Sequence, residues 1–371
     1  MNFEYSEEQQ QLADSVRKYL SSKYDFEARK ATINSVSGLN ESAWSTFAEM
    51  GLTAIALPEA DGGFGGGAVD MMASMEAFGE ALVIEPLLDH IALAGRLIAR
   101  SGSAAQREAL LPGLIDSSKK FAFAYLERGA RYDASPSAVS AQASGRGWEL
   151  NGEKIVVFGA ATAHTLVVSA NAGGPSLFLV DTSTPGVALS NYRTVDGQRA
   201  ADVTFTKVSL EAGALIGEAA QAAPAIDEAL DFATALLCAD AIGAMKYANE
   251  ATLEYMQGRK QFGVPIASFQ VLQHRLVDMY IVTEQARSMA ILAASRVDTS
   301  ANATERKRAV SMAKIKIADA ARQVSQEAIQ LHGGMGMTEE MKVSHTFRRL
   351  TMIAQRFGDA DHHLERFAAL S

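Results

Sequence analysis

The alternation of apolar and polar positions divides the chain into three textures. Up to about residue 118, apolar residues recur at helical spacing. "EEQQQLADSVRKYLSSKY" is the first predicted helix, and Ser6 with Gln9 makes a capping-box signature at its start. "NESAWSTFAEMGL" is a second, ended by Gly51. "GGFGGG" then leads into a third, with Met71, Met72 and Met75 as an apolar stripe that reads as core or as the wall of an adaptable pocket. The glycine run follows no clear strand and lacks the Lys-Ser/Thr of a phosphate loop, so it reads as a flexible turn.

Near residue 119 the texture changes. "KFAFAYLE", "WELNGEKIVVFG", "HTLVVSA", "SLFLVD" and "ADVTFTKVSL" are short runs rich in β-branched and aromatic residues, separated by Gly, Pro, Asn and Asp. They predict an antiparallel β-domain. The runs contain no crossover helix of the kind a parallel nucleotide-binding sheet needs. From about residue 222 helical spacing returns in three long segments. The expected fold class is therefore α+β and mostly helical. A helical domain (1–118) comes first, then a β-domain (119–221), then a bundle of four helices (222–371). The last helices are apolar on more than one face, which predicts burial against a partner chain.

Composition changes this picture only at the edges. The formal charge of −9 and the lack of a basic stripe with interleaved aromatics argue against a nucleic-acid partner. The one cysteine, Cys238, sits in an apolar run and reads as a small buried hydrophobe, consistent with a reducing cytoplasm. The acidic start "MNFEYSEEQQQ" is unlike a signal peptide. No apolar run reaches the roughly 18 residues of a membrane span, so no membrane partner is expected.

Two motifs carry more specific information: "GRKQFGVPIASFQVLQHRLVDM" at 258–279 and "AIQLHGGMGMTEE" at 328–340. With the helix–β–helix order, they resemble the acyl-CoA dehydrogenase family of flavoproteins. The resemblance implies FAD as cofactor and an acyl-CoA as substrate. It also implies an electron-transfer flavoprotein as electron acceptor. Arg259 would meet the FAD pyrophosphate, with Gln261, Phe262, Phe269, Gln270 and Gln273 along the same cofactor. Gln330, Gly333 and Gly334 would approach its adenine and ribose end. A guanidinium suits a diphosphate, and glycines permit close backbone approach. In this family such residues clamp the FAD of the neighbouring subunit. His274 and His332 lie within the motifs and are read either as cofactor contacts or as ordinary helix residues.

The chain also departs from the family pattern. The glutamate that removes the substrate α-proton is expected just before Gly358, where Phe357 stands. The alternative location on the first long helix falls near Ala233. Neither side chain accepts a proton. The Thr-Glu-Pro…Gly-Ser-Asp run is reduced to Glu127, Gly129 and Asp133, and Phe158 stands where a threonine hydroxyl would bond the flavin ring. The pattern resembles the small subunit of heteromeric acyl-CoA dehydrogenases, whose homologous large subunit supplies base and ring pocket. Two alternatives stay open: a self-sufficient enzyme using Asp359 as base, and a flavin-free scaffold. In "RFGDADHH", Asp359 and His363 are spaced to share a metal, but a helix cap at Asp359 or Asp361 is the preferred reading, and no metal is expected. Arg348 and Arg349 are read as anion contacts or as salt-bridge partners.

Overall fold

A computed structural model describes residues 5–136 and 138–370, so the first four residues of the acidic N-terminus lie outside it. The helices are α1 (Glu7–Lys23), α2 (Phe26–Asn34), α3 (Glu41–Glu49), α4 (Ala68–Ala81), α5 (Arg96–Ser101) and α6 (Ala104–Ile115). After the strands come α7 (Ala223–Gly258), α8 (Gln270–Thr299), α9 (Ala303–His332), α10 (Lys342–Gln355) and α11 (Ala360–Ala369). The strands are β1 (Phe121–Ala124), β2 (Ser140–Ser144), β3 (Gly147–Phe158), β4 (Thr165–Asn171), β5 (Pro175–Asp181), β6 (Val187–Arg193), β7 (Arg199–Glu211) and β8 (Leu215–Ile216). Two two-residue strands, β9 (Lys260–Gln261) and β10 (Val264–Pro265), form a small hairpin between α7 and α8.

The chain divides into two compact units, and the N-terminal third contributes to both. The first comprises residues 1–30, 68–83 and 234–371. Here α8, α10 and α11 pack on α9, and α4 packs on α8. The small residues of α7 allow a backbone-to-backbone crossing with α4. A Cβ on Gly79 would lie 1.9 Å from the Asp240 carbonyl oxygen, and one on Gly243 would lie 1.8 Å from that of Glu76. The last turn of α4 has no basic residue of its own. Its carbonyl end is met instead by side chains from elsewhere: Arg29 donates to Leu82 O (2.7 Å), Lys342 to Glu80 O (2.6 Å) and Arg349 to Val83 O. Cations at this end complement the helix dipole and satisfy carbonyls that have no partner within the helix.

The second unit comprises residues 31–67 and 84–233 and holds the sheet. The strand order is β6-β7-β3-β2-β4-β5-β8, with β1 paired to β4. Pairing is mainly antiparallel, as the short alternating runs predict; β4 also pairs in parallel with β1 and with one residue of β2. The sheet core is aliphatic and aromatic, including Leu150, Val168, Phe178 and Phe205. A π-helical stretch, Leu88–Gly95, carries His90, which joins two other segments. Its Nε2 lies 3.1 Å from Leu114 O, and its Nδ1 lies 3.0 Å from the Phe121 N–H.

Candidate functional site

The two motifs lie in the first unit, and the structure brings their flanks together. Arg259 directly follows α7, with its N–H bonded to Tyr255 O at 2.8 Å. The Tyr255 ring stacks on His332 at the end of α9, with centroids 4.4 Å apart. One turn into α8, Arg275 pairs with Glu327 of α9 at 2.6 Å. These contacts hold the α7–α8 turn beside the end of α9, where Gln330 lies and after which Gly333 and Gly334 follow.

The turn itself is strained in a way that presents its side chains. Phe262 has φ of 54° and Gly263 φ of 82°. Phe262 is 93% exposed, and its ring meets Phe269 edge-on at 6.2 Å. Arg259, Gln261, Gln270 and Gln273 are exposed; Gln261 donates to Lys260 O and Gln273 to Ala267 O, each at 2.7 Å. At the end of α9, Gly333 adopts φ 61° and ψ −146°. A Cβ on Gly333 or Gly334 would meet nothing within 4 Å, so this backbone is open to close approach. An exposed guanidinium, exposed amides and open glycine backbone suit a diphosphate-bearing nucleotide.

Other candidates resolve into structural roles. His332 is buried, and its Nδ1 lies 2.8 Å from Ala328 O; burial lowers its pKa. His274 is on the exposed face of α8. Arg348 pairs with Glu339, and Arg349 donates to Val83 O. Met71, Met72 and Met75 are core residues. The α4 N-terminus after the glycine-rich turn is capped by the Asp298 carboxylate, which accepts from Ala68 N (2.7 Å) and Val69 N (2.9 Å).

Neither expected base position carries a proton acceptor. Ala233 is fully buried in α7. Phe357 adopts φ of 61°, and the Arg356 guanidinium lies 4.8 Å from its ring centroid. Asp359 is the N-cap of α11 and accepts from the His362 N–H at 2.9 Å. His363 places one ring nitrogen 3.0 Å from Phe357 O and the other 3.3 Å from Ser311 Oγ. Among the described residues no group of three or more His, Cys, Asp or Glu side chains is placed to hold a metal ion. Lys314 of α9, a residue the sequence reading did not single out, is buried beneath this loop. It donates to Gly358 O (2.7 Å) and Ala354 O (3.1 Å). Burial pulls its pKa down to about 8, partly offset by Cys238 and Asp359. Burial also pushes the Cys238 thiol up to about 12, which leaves it protonated and unreactive at neutral pH.

In the second unit, Glu127 serves as a strut rather than facing a ligand. It accepts from Lys154 (2.8 Å) and from the N–H groups of Ala138 (2.7 Å) and Val139 (3.0 Å). Strand β3 loses register between Lys154 and Val157, where Val156 has φ of 51°. Phe158, at the end of this bulged stretch, is buried.

Three family models match the chain: the acyl-CoA dehydrogenase N-terminal domain over residues 6–118, the middle domain over 122–211 and the C-terminal domain over 223–369. Acyl-CoA dehydrogenase FadE12 of Mycobacterium tuberculosis is 31% identical over 327 residues, covering 84% of this chain and 83% of that protein. The solved structure of a Tcur3481–Tcur3483 steroid ACAD variant is similar with a TM-score of 0.89 at 31% identity, covering 98% of this chain and 97% of that one. The ChsE4–ChsE5 complex from Mycobacterium tuberculosis has a TM-score of 0.91 over 100% of this chain and 98% of that one, and at 24% identity shows the shared fold. No helix among the described residues is long and apolar enough to cross a membrane.

Proposed function

The chain belongs to the acyl-CoA dehydrogenase family, and from that premise we propose that it is the small, non-catalytic subunit of a heteromeric FAD-dependent enzyme that desaturates an acyl-CoA thioester. One observation carries the reading: the two motifs that resemble the family's FAD clamp are present and largely exposed, while Phe357 and Ala233 fill both positions where a base is expected. In this reading Arg259, Gln261, Phe262, Phe269, Gln270 and Gln273 hold the pyrophosphate side of a FAD seated in the partner. Gln330, Gly333 and Gly334 receive its adenosine end. FAD supplies the hydride-accepting ring when bound, and the partner supplies the carboxylate that takes the α-proton. This chain's own residues bind and orient the nucleotide half and exclude water from it. Two relationships support the partnership: the solved relatives named as ChsE4–ChsE5 and Tcur3481–Tcur3483 are pairs of different chains. The latter name, a steroid ACAD, favours a steroid-derived acyl thioester as the substrate class, and the electron-transfer flavoprotein that the family resemblance implies is the proposed acceptor.

The test is co-expression with the acyl-CoA dehydrogenase subunit encoded beside this chain. The expected product is a yellow complex that is bleached by acyl-CoA. Arg259→Ala in this chain is expected to lower FAD content at least tenfold, and Gly334→Val to lower it similarly without changing the thermal unfolding of the isolated chain, because the position is open. A fully flavinated complex with Arg259→Ala contradicts the reading.

A further inference from the structure

The two arms of the proposed clamp come from different helices, and their separation decides what they can hold. Arg259 directly follows α7, and Gly333 and Gly334 directly follow α9. The backbone of Arg259 is fixed on both sides. Its N–H donates to Tyr255 O at 2.8 Å, and its carbonyl accepts from the Ile266 N–H at 2.8 Å. Only its side chain is exposed to reach a ligand. The place of the guanidinium therefore follows the last turn of α7, which carries Tyr255.

Two ties join this turn to α9, and they differ in kind. The side chains of Arg275 and Glu327 are 36% and 30% exposed, so water and salt screen their ion pair. The other tie is dry. His332 is 3% exposed, and its ring lies 4.4 Å from the Tyr255 ring at an interplanar angle of 24°. Its Nδ1 lies 2.8 Å from Ala328 O; a carbonyl only accepts, so Nδ1 carries the proton and the donation fixes the plane of the ring. Burial holds the pKa of His332 below the usual histidine value, so the stack is between two neutral rings at pH 7. The glycine turn is packed against the same residue: a Cβ on Gly336 would lie 2.9 Å from the His332 Cβ.

We propose that Tyr255 and His332 are positioning residues for the nucleotide: their stacked rings set the spacing between the Arg259 guanidinium and the open backbone of Gly333 and Gly334, and with it the affinity for the ADP half of FAD. The inference rests on the clamp reading for the identity of the ligand, and on the stack for the spacing. Neither ring has to touch the cofactor. A rigid spacer acts by removing the cost of ordering two separate arms when the ligand binds. Two flat rings suit that task because their contact has a preferred distance and angle, which an aliphatic contact lacks.

The experiment strips flavin from the co-expressed complex and titrates FAD back, followed by flavin fluorescence, with ADP as competitor. Thermal unfolding of each complex is recorded beside it. Tyr255→Leu and His332→Asn each remove one ring, and the asparagine keeps an N–H donor for Ala328 O. Each is expected to raise the FAD Kd about tenfold and the ADP inhibition constant by the same factor, while Tyr255→Phe, which keeps the ring, binds both as wild type does. Because the pair acts through Arg259, Tyr255→Leu/Arg259→Ala is expected to bind FAD within about threefold of Arg259→Ala alone. Glu327→Gln is expected to change the affinity less than about threefold. If Arg259→Ala weakens FAD binding while Tyr255→Leu and His332→Asn leave it unchanged, the positioning inference falls and the clamp stands. It falls equally if their losses multiply with that of Arg259→Ala and track thermal destabilisation, or if neither variant assembles with the partner, since both outcomes assign the rings to ordinary core packing. If Arg259→Ala binds FAD and ADP as wild type does, the clamp reading itself is overturned.

Discussion

His90 makes the chain's acid stability calculable. Its ring is wholly buried between Trp44 and Phe121, with centroids 5.0 and 5.8 Å away. Nδ1 accepts from the Phe121 N–H at 3.0 Å, so the single proton of the neutral ring sits on Nε2 and is donated to Leu114 O at 3.1 Å. A second proton has to go onto Nδ1 and break the bond to Phe121. Burial accordingly lowers the pKa from 6.5 to about 4. For a base whose folded pKa is depressed, the unfolded chain binds the extra proton first. The stability is therefore complete above pH 6.5 and is lost as pH falls toward 4. At about 1.4 kcal/mol per pKa unit, the loss from this one residue is about 2 kcal/mol at pH 5 and about 3 kcal/mol at pH 4. His90→Gln supplies a reference that does not titrate. Urea unfolding followed by tryptophan fluorescence reports on this site, because Trp44 touches the ring and the chain has 2 tryptophans. The difference in unfolding free energy between wild type and His90→Gln is expected to shrink by about 2 kcal/mol between pH 7 and pH 5. A difference constant to within about 0.5 kcal/mol over that range refutes the assignment of tautomer and burial.

Two other perturbations give separable outcomes. Gly243→Ala forces a methyl group into the Glu76 carbonyl at the α4–α7 crossing, where nothing but backbone faces it; an overpacking cost of about 1–3 kcal/mol or more is expected by thermal unfolding. Asp359→Ala removes the α11 cap and is expected to cost about 0.5–2 kcal/mol, whereas Asp359→Asn preserves the cap and the stability; flavin bleaching by acyl-CoA is expected to survive both, and its loss in the stably folded Asp359→Asn identifies Asp359 as the base.

The sequence shows most where one residue type has one physical reason to be present. Ser6 and Gln9 make their capping box. The three long helices run over the segments whose apolar spacing is regular, and the small residues of α7 sit where α4 crosses it. Such features depend on neighbours in sequence, or on one helix face at a time. What escaped depends on partners tens to hundreds of residues apart. The parallel pairing of β1 with β4 leaves no mark on the alternation of either strand. Arg349 reads as an anion contact or a salt-bridge partner from its position near the C-terminus, but it is buried and donates to Val83 O, 266 residues away in sequence. Asn249 escapes because an asparagine on a long helix usually faces water, whereas here it is buried with its amide nitrogen donating to Thr283 Oγ1 at 3.0 Å.

Lys314 is the strongest case, and it bears on the loop that lacks the base. A lysine amid "SMAKIKIADAA" has the signal of a charge within an apolar helix face, yet its partners are backbone carbonyls that no pattern reveals. Its two donations fasten Ala354 and Gly358, on either side of Phe357. Hydrogen bonds from a charged donor contribute about 1.5–3 kcal/mol each. Against this stands the burial that lowers the pKa from 10.5 to about 8, a cost of about 3 kcal/mol at pH 7. Lys314→Met removes both, so its net effect at pH 7 is small and not diagnostic. The pH dependence is diagnostic. Between pH 8 and 10.5 the unfolded chain binds more protons than the folded one, so wild type gains stability as pH rises while the methionine variant does not. Urea unfolding is expected to show wild type gaining up to about 3 kcal/mol on the variant across that window. In the same variant, hydrogen exchange at Phe357, Gly358 and Asp359 is expected to quicken at least tenfold at pH 7. A pH-independent difference with unchanged exchange means that the loop is held by the α11 cap alone and that Lys314 plays no part in fixing it.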